Sequence, residues 1–314
     1  MNAVVTGAAG FIGATLARTL LDRGDSVIGI DSFLDSYPRP IKESRLKVLS
    51  KYENFRFIEA NLVDMNLSEV LQGTDYVFHL AAQAGVRTSW GQRFEVYTES
   101  NILVTQKLLE AAKNSSIRRF VYSSSSSIYG DAEIMPTPED AKTNPISPYA
   151  VSKLAGEHLC QLYQHNYGVP SVTLRYFTVY GPYPRPDQAV YIFVRAILED
   201  NAIQIYGDGE QLRGMTYVDD VVRANILACE KECVGEAINI GGGSSITVHS
   251  LVASIADILG RRAKIEHVDP VKGDARNTLA DITKAGQILS WQPEVDTAIG
   301  LEKTIRSMGA VYFD

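Results

Sequence analysis

The stretch AVVTGAAGFIG at residues 3–13 decides the fold. A short apolar strand, Ala3–Thr6, runs into a glycine-rich turn, and a helix is predicted from about Phe11 to Arg23, closed by Gly24. The glycines at 7, 10 and 13 have the spacing G-x-x-G-x-x-G. Between a strand and a helix, this pattern brings the backbone and a helix N-terminus close to a pyrophosphate. The stretch therefore predicts a dinucleotide site formed by Gly7, Gly10, Phe11, Ile12 and Gly13.

Strand and helix patterns alternate through the first half of the chain. Long helices are predicted at about residues 94–113 and 148–167. Further strands are predicted at Ser26–Ile30, Asn54–Ile58, Asp75–Leu80, Arg118–Ser123 and Ser171–Tyr176. This alternation is typical of an α/β protein with a Rossmann-type, doubly wound parallel sheet.

The alternation stops beyond residue 176. Residues 177–190 predict a loop rich in Pro, Tyr and Gly, and after it we expect a helix (191–200), two short strands (near 203–206 and 236–240) and two helices (about 247–259 and 295–307). We therefore expect an NAD-binding domain over residues 1–176, to which a segment at about 215–245 returns. A smaller, mixed α/β substrate-binding domain should occupy mainly residues 177–314.

Length and composition narrow the possible functions. The 314 residues are 45% hydrophobic, as in ordinary globular proteins, and the formal charge of -7 disfavours binding to nucleic acid. No apolar run is long enough for a membrane span, and no leader pattern precedes the first strand. The three cysteines are too few and too scattered for a disulfide framework or a metal site. We expect a cytoplasmic protein with no metal centre, no membrane partner and an anionic small-molecule ligand.

An acidic residue ends the second predicted strand and bears on the choice of cofactor. Asp31 lies 18 residues after Gly13, where a carboxylate accepts hydrogen bonds from ribose hydroxyls and repels a 2′-phosphate, which favours NAD over NADP. The loops after the next strands meet at the same sheet edge, and they carry Asn61, Leu62, Leu80, Ala81 and Ala82. His79 lies within a strand and is interpreted as a packed core histidine.

A second motif points to proton transfer. Tyr149 and Lys153 are spaced Y-x3-K on a predicted helix, so they share one helix face. A tyrosine with its ordinary pKa of ~10 is a poor base at neutral pH. A nearby ammonium and a positive nicotinamide ring would favour the phenolate. Five serines, Ser123–Ser127, end a strand about 24 residues upstream, and they are interpreted as part of the site rather than as a linker.

Taken together, these motifs resemble the extended short-chain dehydrogenase/reductase family, whose pattern covers nearly the whole chain. The resemblance rests on TGAAGFIG (6–13), Asp31, HLAA (79–82), Ser123–Gly130, Tyr149 with Lys153, and LRYF (174–177). It implies tightly held NAD, regenerated in each cycle, and a nucleotide-linked sugar as substrate. It further implies that Tyr149 is the base, that Lys153 is its electrostatic partner and that Ser125 bonds the sugar O4. Asn101 then resembles the helix asparagine that supports this catalytic network, and Asn101, Ser123 and Tyr176 are expected beside the cofactor.

The residues around the serine run bear on the reaction. Dehydratases of this family carry Thr-Asp-Glu at this point and decarboxylases Ser-Glu, whereas this chain has Ser125, Ser126 and Ser127. Residues 83–90, with Arg87, and residues 177–187, with Thr178 and Arg185, are similar to epimerases that act on uronates. The resemblance therefore implies a UDP-glucuronate 4-epimerase that works through a 4-keto intermediate. A UDP-glucose or UDP-N-acetylhexosamine 4-epimerase, a decarboxylase and a non-catalytic NAD-binding protein remain alternatives.

The same resemblance suggests how the substrate is held. Ser126, Ser127 and Thr178 would hold the sugar carboxylate with uncharged donors, which would slow loss of CO2 from the keto acid. Tyr206 is expected to border uracil, and Arg213 and Arg276 are candidates for the diphosphate. The sequence Arg213-Gly214-Met215 lacks the acidic residue that usually follows the arginine, so the local loop conformation is open. The helices near 94–113 and 148–167 resemble those that pair as a four-helix bundle in a homodimer.

Overall fold

A seven-stranded parallel sheet forms the larger part of the fold. The computed structural model describes residues 1–312. The strands are β1 (Asn2–Thr6), β2 (Ser26–Asp31), β3 (Phe55–Glu59), β4 (Tyr76–His79), β5 (Arg119–Ser125), β6 (Ser171–Tyr176), β7 (Val179–Tyr180), β8 (Ala202–Tyr206), β9 (Leu212–Gly214), β10 (Thr216–Tyr217), β11 (Ala237–Ile240), β12 (Ser245–Thr247) and β13 (Lys264–Val268). In the large sheet they lie in the order β11-β6-β5-β4-β1-β2-β3, and every neighbouring pair is parallel. The Rossmann-type α/β architecture is therefore confirmed.

Helices cover both faces of this sheet. They are α1 (Phe11–Asp22), α2 (Arg39–Leu49), α3 (Leu67–Val70), α4 (Phe94–Tyr97), α5 (Val104–Ala112), α6 (Pro148–Tyr167), α7 (Ala189–Leu198), α8 (Val218–Glu230), α9 (Val248–Leu259), α10 (Thr283–Leu289) and α11 (Thr297–Tyr312). One core cluster packs α1 and α8 against the sheet through residues such as Leu16, Leu20 and Val221. A second packs α5 on the other face through Leu108 and Leu109. No helix among the described residues is long and apolar enough to cross a membrane.

The order of strands determines where ligands bind. The chain passes from β1 to β2 and β3 on one side, then crosses to β4, β5 and β6 on the other. Helices that follow β1 and β4 therefore lie on opposite faces, and a crevice opens between the carboxyl ends of these two strands. The glycine turn after β1 and the segment Leu80–Gly85 after β4 border that crevice.

A smaller unit with its own core is built mainly from later residues. Helices α7, α9 and α11 and strand β8 surround a cluster that includes Phe193, Val194, Ile205 and Ile255. Three two-stranded pairs, β7–β10, β8–β13 and β9–β12, lie outside the large sheet. Strand β11 nevertheless pairs with β6 at the edge of the large sheet, and α8 packs on its face.

Some elements differ from the sequence-based expectation. The helix predicted at 94–113 contains a π-helical segment, Thr98–Leu103, between α4 and α5. The helix predicted at 191–200 spans Ala189–Leu198, because Asp200 turns into the left-handed region (φ 57°) and ends it. The sequence analysis missed α2 and α8, as well as short strands in the loop after residue 176. Helix α2 has few apolar residues and so gave no clear periodic signal. In α8 the apolar residues Val218, Val221 and Val222 do recur at helical spacing, so the sequence carried a signal for this helix.

Candidate active site

One cavity of about 1500 Å³ runs along the carboxyl edge of the sheet and into the smaller unit. It brings together almost every site residue predicted from the sequence. The cofactor-side residues on its wall are Gly7, Gly10, Phe11, Ile12, Gly13, Asp31, Asn61, Leu62, Leu80, Ala81, Ala82, Ser123, Tyr149, Lys153 and Tyr176. The predicted substrate-side residues on its wall are Arg87, Ser125, Ser126, Ser127, Thr178, Arg185, Tyr206, Arg213 and Arg276. Asn101 is the one predicted residue outside this lining.

The glycine turn can adopt its conformation only because residues 7 and 13 carry no side chains. Gly7 is in the left-handed region (φ 71°), and a Cβ there would lie 2.9 Å from the Ala81 nitrogen. A Cβ at Gly13 would lie 2.1 Å from the Gly7 carbonyl oxygen. Gly10 caps α1 without a side-chain hydrogen bond, so the first N–H groups of the helix remain open to an anion. This cradle fits the pyrophosphate of a dinucleotide.

Asp31 is fixed at the end of β2 by backbone donors. One carboxylate oxygen accepts from the Ala9 N–H (3.1 Å) and the other from the Phe33 N–H (2.8 Å). A carboxylate has about four acceptor positions, so both oxygens keep a further lone pair for ribose hydroxyls. The position therefore suits an NAD ribose.

His79 is a core histidine, as predicted, and its hydrogen bonds define its tautomer. The Thr6 hydroxyl accepts from the N–H groups of Leu80 (3.2 Å) and Ala81 (3.1 Å). Because both lone pairs of the Thr6 hydroxyl are then occupied, this hydroxyl donates its own proton to His79 Nδ1 (2.9 Å). Nε2 carries the ring proton and donates to the Thr105 hydroxyl (3.0 Å), which lies one turn from Asn101. Burial lowers the pKa of His79 to about 3, which agrees with a neutral ring.

Asn101 lies behind the cavity wall instead of on it, where it supports the first turn of the helix that carries Tyr149; its contact with the cofactor stays a prediction. It is 1% exposed, in the π-helical segment, and its amide makes two bonds with the Gln83 backbone (2.8 and 3.0 Å). A third bond (2.9 Å) goes to the Ser152 hydroxyl, which donates in turn to the Tyr149 carbonyl (2.7 Å). Because its polar atoms are committed to these partners, Asn101 is a positioning residue that links the loop after β4 to the first turn of α6.

Tyr149 faces the cavity beside Ser125, as predicted. Burial raises the pKa of Tyr149, while the hydrogen bond with Ser125 and the positive charge of Arg185 act in the opposite direction. The ring of Tyr97 packs edge-on against Tyr149 with ring centroids 6.2 Å apart. In the protein alone the phenol is therefore protonated at neutral pH; that Lys153 and a bound nicotinamide ring favour the phenolate stays a prediction.

Lys153 is buried one turn further along α6. Its ammonium donates to the Ser123 carbonyl (2.8 Å), and burial lowers the pKa of Lys153 to about 8. The lysine is therefore charged at neutral pH but loses its proton readily. Its side chain lies on the cavity wall, where a bound nicotinamide ribose could take up the remaining donors.

The serine run ends β5 and continues into a short 3-10 turn, Ser126–Tyr129, so it is not a linker. Ser125 donates to the Ser127 hydroxyl (3.0 Å) and accepts from the Ser127 N–H (3.2 Å). Among the described residues, the hydroxyls of Ser126 and Thr178 have no hydrogen-bond partner in the protein, and both lie on the cavity wall. They are available to a ligand.

The four arginines differ in how their charge is balanced. Three of them form ion pairs with an N–O distance of 2.8 Å: Arg87 with Asp274, Arg185 with Asp187, and Arg276 with Asp208. The guanidinium of Arg87 also stacks over the ring of Tyr206. Arg213 instead donates to the carbonyls of Leu212 and Arg276. Within residues 1–312 it has no carboxylate at salt-bridge distance, and burial lowers its pKa. Arg213 therefore provides the least neutralised cation of the set.

A buried ion pair behind the catalytic helix was missed by the sequence analysis. The side chains of Glu157 in α6 and Arg175 in β6 are 1% and 7% exposed. The Arg175 guanidinium donates to both oxygens of the Glu157 carboxylate. Glu157 also accepts from Ser124 (3.0 Å), and Arg175 donates to the Tyr129 hydroxyl (2.7 Å). A signal existed: Glu157 follows Lys153 by four residues, as Lys153 follows Tyr149, so all three share one helix face.

Known proteins resemble this chain in both sequence and structure. Residues 3–241 match the NAD dependent epimerase/dehydratase family. A UDP-glucuronate 4-epimerase of Thermodesulfobacterium geofontis is 40% identical over 96% of this chain and 94% of its own length. An uncharacterized UDP-glucose epimerase of Bacillus subtilis is 42% identical over 99% of both chains. The crystal structure of a UDP-glucuronic acid 4-epimerase from Bacillus cereus, in complex with UDP-glucuronic acid and NAD, superposes with a TM-score of 0.97 at 42% identity, covering 99% and 100% of the two chains.

Replacement of Glu157 by alanine should destabilise the protein strongly. The change leaves Arg175 buried without its counter-charge, which typically costs about 3–5 kcal/mol. Urea unfolding measures the loss in the free energy of unfolding. Glu302, which pairs with Arg306 at the exposed surface, provides the control, because Glu302→Ala should change stability little. Equal effects of the two substitutions would contradict the assigned role of the buried pair.

Proposed function

This chain belongs to the NAD dependent epimerase/dehydratase family, and from that premise we propose that it interconverts UDP-glucuronate and UDP-galacturonate. The observation that carries the proposal is the pair of unpartnered hydroxyls, Ser126 and Thr178, in the cavity that also holds Tyr149. Uncharged donors at this place suit a sugar carboxylate and lack the acid groups that elimination requires. The relatives named UDP-glucuronate 4-epimerase, in sequence and in structure, support the same reaction.

The site fits the cofactor of this family. The glycine cradle of residues 7–13 would receive the pyrophosphate, Asp31 the adenosine ribose, and Lys153 the nicotinamide ribose. When bound, NAD supplies the chemistry of taking a hydride from C4 of the sugar and giving it back. The remaining steps fall to side chains of the chain itself.

Tyr149 is the residue that moves the proton. Its hydroxyl, beside Ser125, would take the proton from the sugar O4 as C4 becomes a ketone and return it when C4 is reduced from the other face. Because burial raises its pKa, Tyr149 needs further positive charge to act as a base. Lys153, Arg185 and the ring of the oxidised cofactor would provide that charge. The keto sugar must turn within the cavity between the two steps.

The carboxylate of the intermediate must be protected. A 4-keto uronate carries its carboxylate β to the ketone and readily loses CO2. Hydrogen bonds from Ser126, Ser127 and Thr178 would hold the carboxylate ionised and out of the reactive rotamer. A hydrogen bond to a charged group is worth about 1.5–3 kcal/mol, so each donor matters to the rate of carbon–carbon cleavage.

The diphosphate and uracil are assigned to the smaller unit. Arg213, with no carboxylate partner, is the preferred residue for the diphosphate. Arg276 and Arg185 hold carboxylates that a substrate phosphate or carboxylate would replace. Tyr206, stacked under Arg87, provides a flat edge for the base. The four arginines thus surround a substrate with several negative charges.

A neutral sugar is the second candidate substrate. The uncharacterized UDP-glucose epimerase of Bacillus subtilis is as similar as the uronate enzymes, which favours testing UDP-glucose. Nothing in the hydroxyl pair excludes a neutral hydroxymethyl group at C6. The two candidates share the fold, the cofactor and Tyr149, so only the substrate separates them.

We further propose that the enzyme is a cytoplasmic homodimer. Helices α5 and α6 present exposed apolar side chains that suit a four-helix interface, including Val151, Leu162 and Tyr167 of α6 and Leu103 just before α5. The three cysteines are free and buried, which suits a reducing compartment. Light scattering on the purified protein tests the assembly directly.

Purified enzyme should convert UDP-glucuronate to UDP-galacturonate without added reductant. Tyr149→Phe should abolish turnover, because the base is lost, while bound NAD remains in the protein. Chromatography of the nucleotide sugars measures the product, and UDP-glucose serves as the competing substrate. Conversion of UDP-glucose alone would assign the second candidate, and full activity of Tyr149→Phe would refute the assignment of the base.

Activity should fall in mildly alkaline solution. Lys153 is protonated below its pKa of about 8 and neutral above it, so its charge is lost as the pH rises through this value. The measurement is kcat/KM for UDP-glucuronate between pH 6 and 10. In Lys153→Arg the guanidinium stays charged, so the fall near pH 8 should disappear, although the altered geometry lowers activity. A wild-type profile that stays flat to pH 10 would rule out a required ammonium.

Loss of the hydroxyl pair should release CO2. In Ser126→Ala and Thr178→Val the keto acid loses one donor, and the fraction that decarboxylates should rise about ten- to a hundredfold for each change. Detection of a UDP-pentose and of labelled CO2 measures this fraction. Ser68→Ala, an exposed serine outside the cavity, is the control. If both variants epimerise without CO2 release, the hydroxyls do not protect the carboxylate.

A further inference from the structure

Arg45 is a buried cation whose role the reaction does not explain. It lies on α2 and is 8% exposed, and within residues 1–312 it has no carboxylate at salt-bridge distance. Its Nε has no hydrogen-bond partner. An arginine placed in this way costs free energy in the empty protein, which indicates a purpose other than stability. We propose that Arg45 retains the bound dinucleotide, because it ties together three chain segments beside Asp31 and the glycine turn.

Three hydrogen bonds define this tie. One terminal nitrogen of Arg45 donates to the Ala9 carbonyl of the glycine turn (3.2 Å) and to the Tyr37 hydroxyl (2.8 Å). The other donates to the Tyr183 carbonyl (2.8 Å). Ala9 follows β1, Tyr37 lies in the loop after β2, and Tyr183 lies 138 residues from Arg45, in the loop that carries Arg185. A planar guanidinium suits this role, because its donors point in several fixed directions.

Two of the joined segments line the cavity. Residues 34–37 form one part of its wall, and Arg185, Asp187 and Gln188 form a second part. The second part is also held from behind, because the Ser307 hydroxyl of α11 accepts from the Tyr183 N–H (2.9 Å). Arg45 holds Tyr37 of the first part to the second. In the proposed role, these bonds resist an opening of the cavity beside Asp31 and the glycine turn, and so slow the release of a bound dinucleotide.

Charge supports the same role. Arg45 adds a buried positive charge next to the turn that would hold the pyrophosphate, and no carboxylate of the described residues neutralises it by direct contact. An anionic dinucleotide would compensate this charge, whereas a water-filled site would leave it costly. The arginine therefore favours the occupied state in two ways, by its attraction to an anion and by its hold on the walls.

An epimerase needs its cofactor to stay bound throughout the catalytic cycle. The hydride taken from C4 returns to the same sugar, so a cofactor that left in mid-cycle would strand the keto sugar. This inference rests on the proposed function, because only such a cycle needs a cofactor that stays.

The test compares how fast NAD leaves the purified holoenzyme. Arg45→Met keeps the aliphatic stem and removes the donors, so the dissociation rate of labelled NAD into excess unlabelled NAD should rise at least tenfold. The association rate should change little, because slow release, not recognition, is what the tie provides. Arg45→Lys keeps the charge but cannot reach three acceptors and should lie between. Arg56→Met, an exposed arginine on β3, is the matched control.

Tyr37→Phe covers the case in which Arg45→Met fails to fold. It removes only the hydroxyl held by Arg45, so a faster release of NAD should appear with unchanged thermal unfolding. Release from Arg45→Met and Tyr37→Phe at the wild-type rate would overturn the proposal while leaving the epimerase function intact. A drop in association rate alone would show a damaged pocket and would also overturn it. Wild-type protein that neither retains NAD nor epimerises would instead refute the proposed function.

Discussion

The ion pair between Glu157 and Arg175 is the constraint on which the site depends. It fastens the middle of α6 to β6 from behind, while Ser124 ties the same carboxylate to β5. Tyr149 and Lys153 lie on this helix face, and Ser123 and Ser125 lie on that strand. The distance between the phenol, the ammonium and the serine hydroxyl is therefore set by a bond that never meets the substrate. Burying two charges costs free energy, so the main effect of this salt bridge is to fix the positions of the reacting groups.

Much of this could be predicted from the sequence, because several motifs act through local geometry. The glycine spacing at 7, 10 and 13 follows from contacts with Ala81 and the Gly7 carbonyl, and Tyr149 and Lys153 need only a helix to share a face. Asn101 shows the limit. The resemblance pointed to a supporting role, but the partners that perform it, Gln83 and Ser152, come from distant segments, and the π-helical segment that carries Asn101 leaves no periodic signal. The burial that raises the pKa of Tyr149 likewise depends on the whole fold and has no local signal in the sequence.

The negative net charge is compatible with a highly charged substrate because the cations are few and local. Arg87, Arg185 and Arg276 each hold a carboxylate in the protein, so a substrate anion would exchange with an existing partner. Arg213 and Arg45 have no such partner and are both largely buried. The positive charge that no carboxylate balances by direct contact therefore lies on a few side chains, among them Arg213, Lys42 and Lys153 on the cavity wall and Arg45 behind it.

The hydroxyls of Ser126 and Thr178 have an evolutionary consequence. A pocket that binds an acid through an arginine leaves that arginine without a counter-charge when a neutral sugar enters. This desolvation cost disfavours the neutral sugar. Hydroxyls impose no such penalty, because the same groups hydrogen-bond water or a hydroxymethyl group equally well. In the proposed arrangement, preference for a uronate results from added favourable contacts and not from exclusion of neutral sugars. Descendants of one ancestral enzyme could therefore move between acidic and neutral sugars through single hydroxyl changes, without passing through an inactive form.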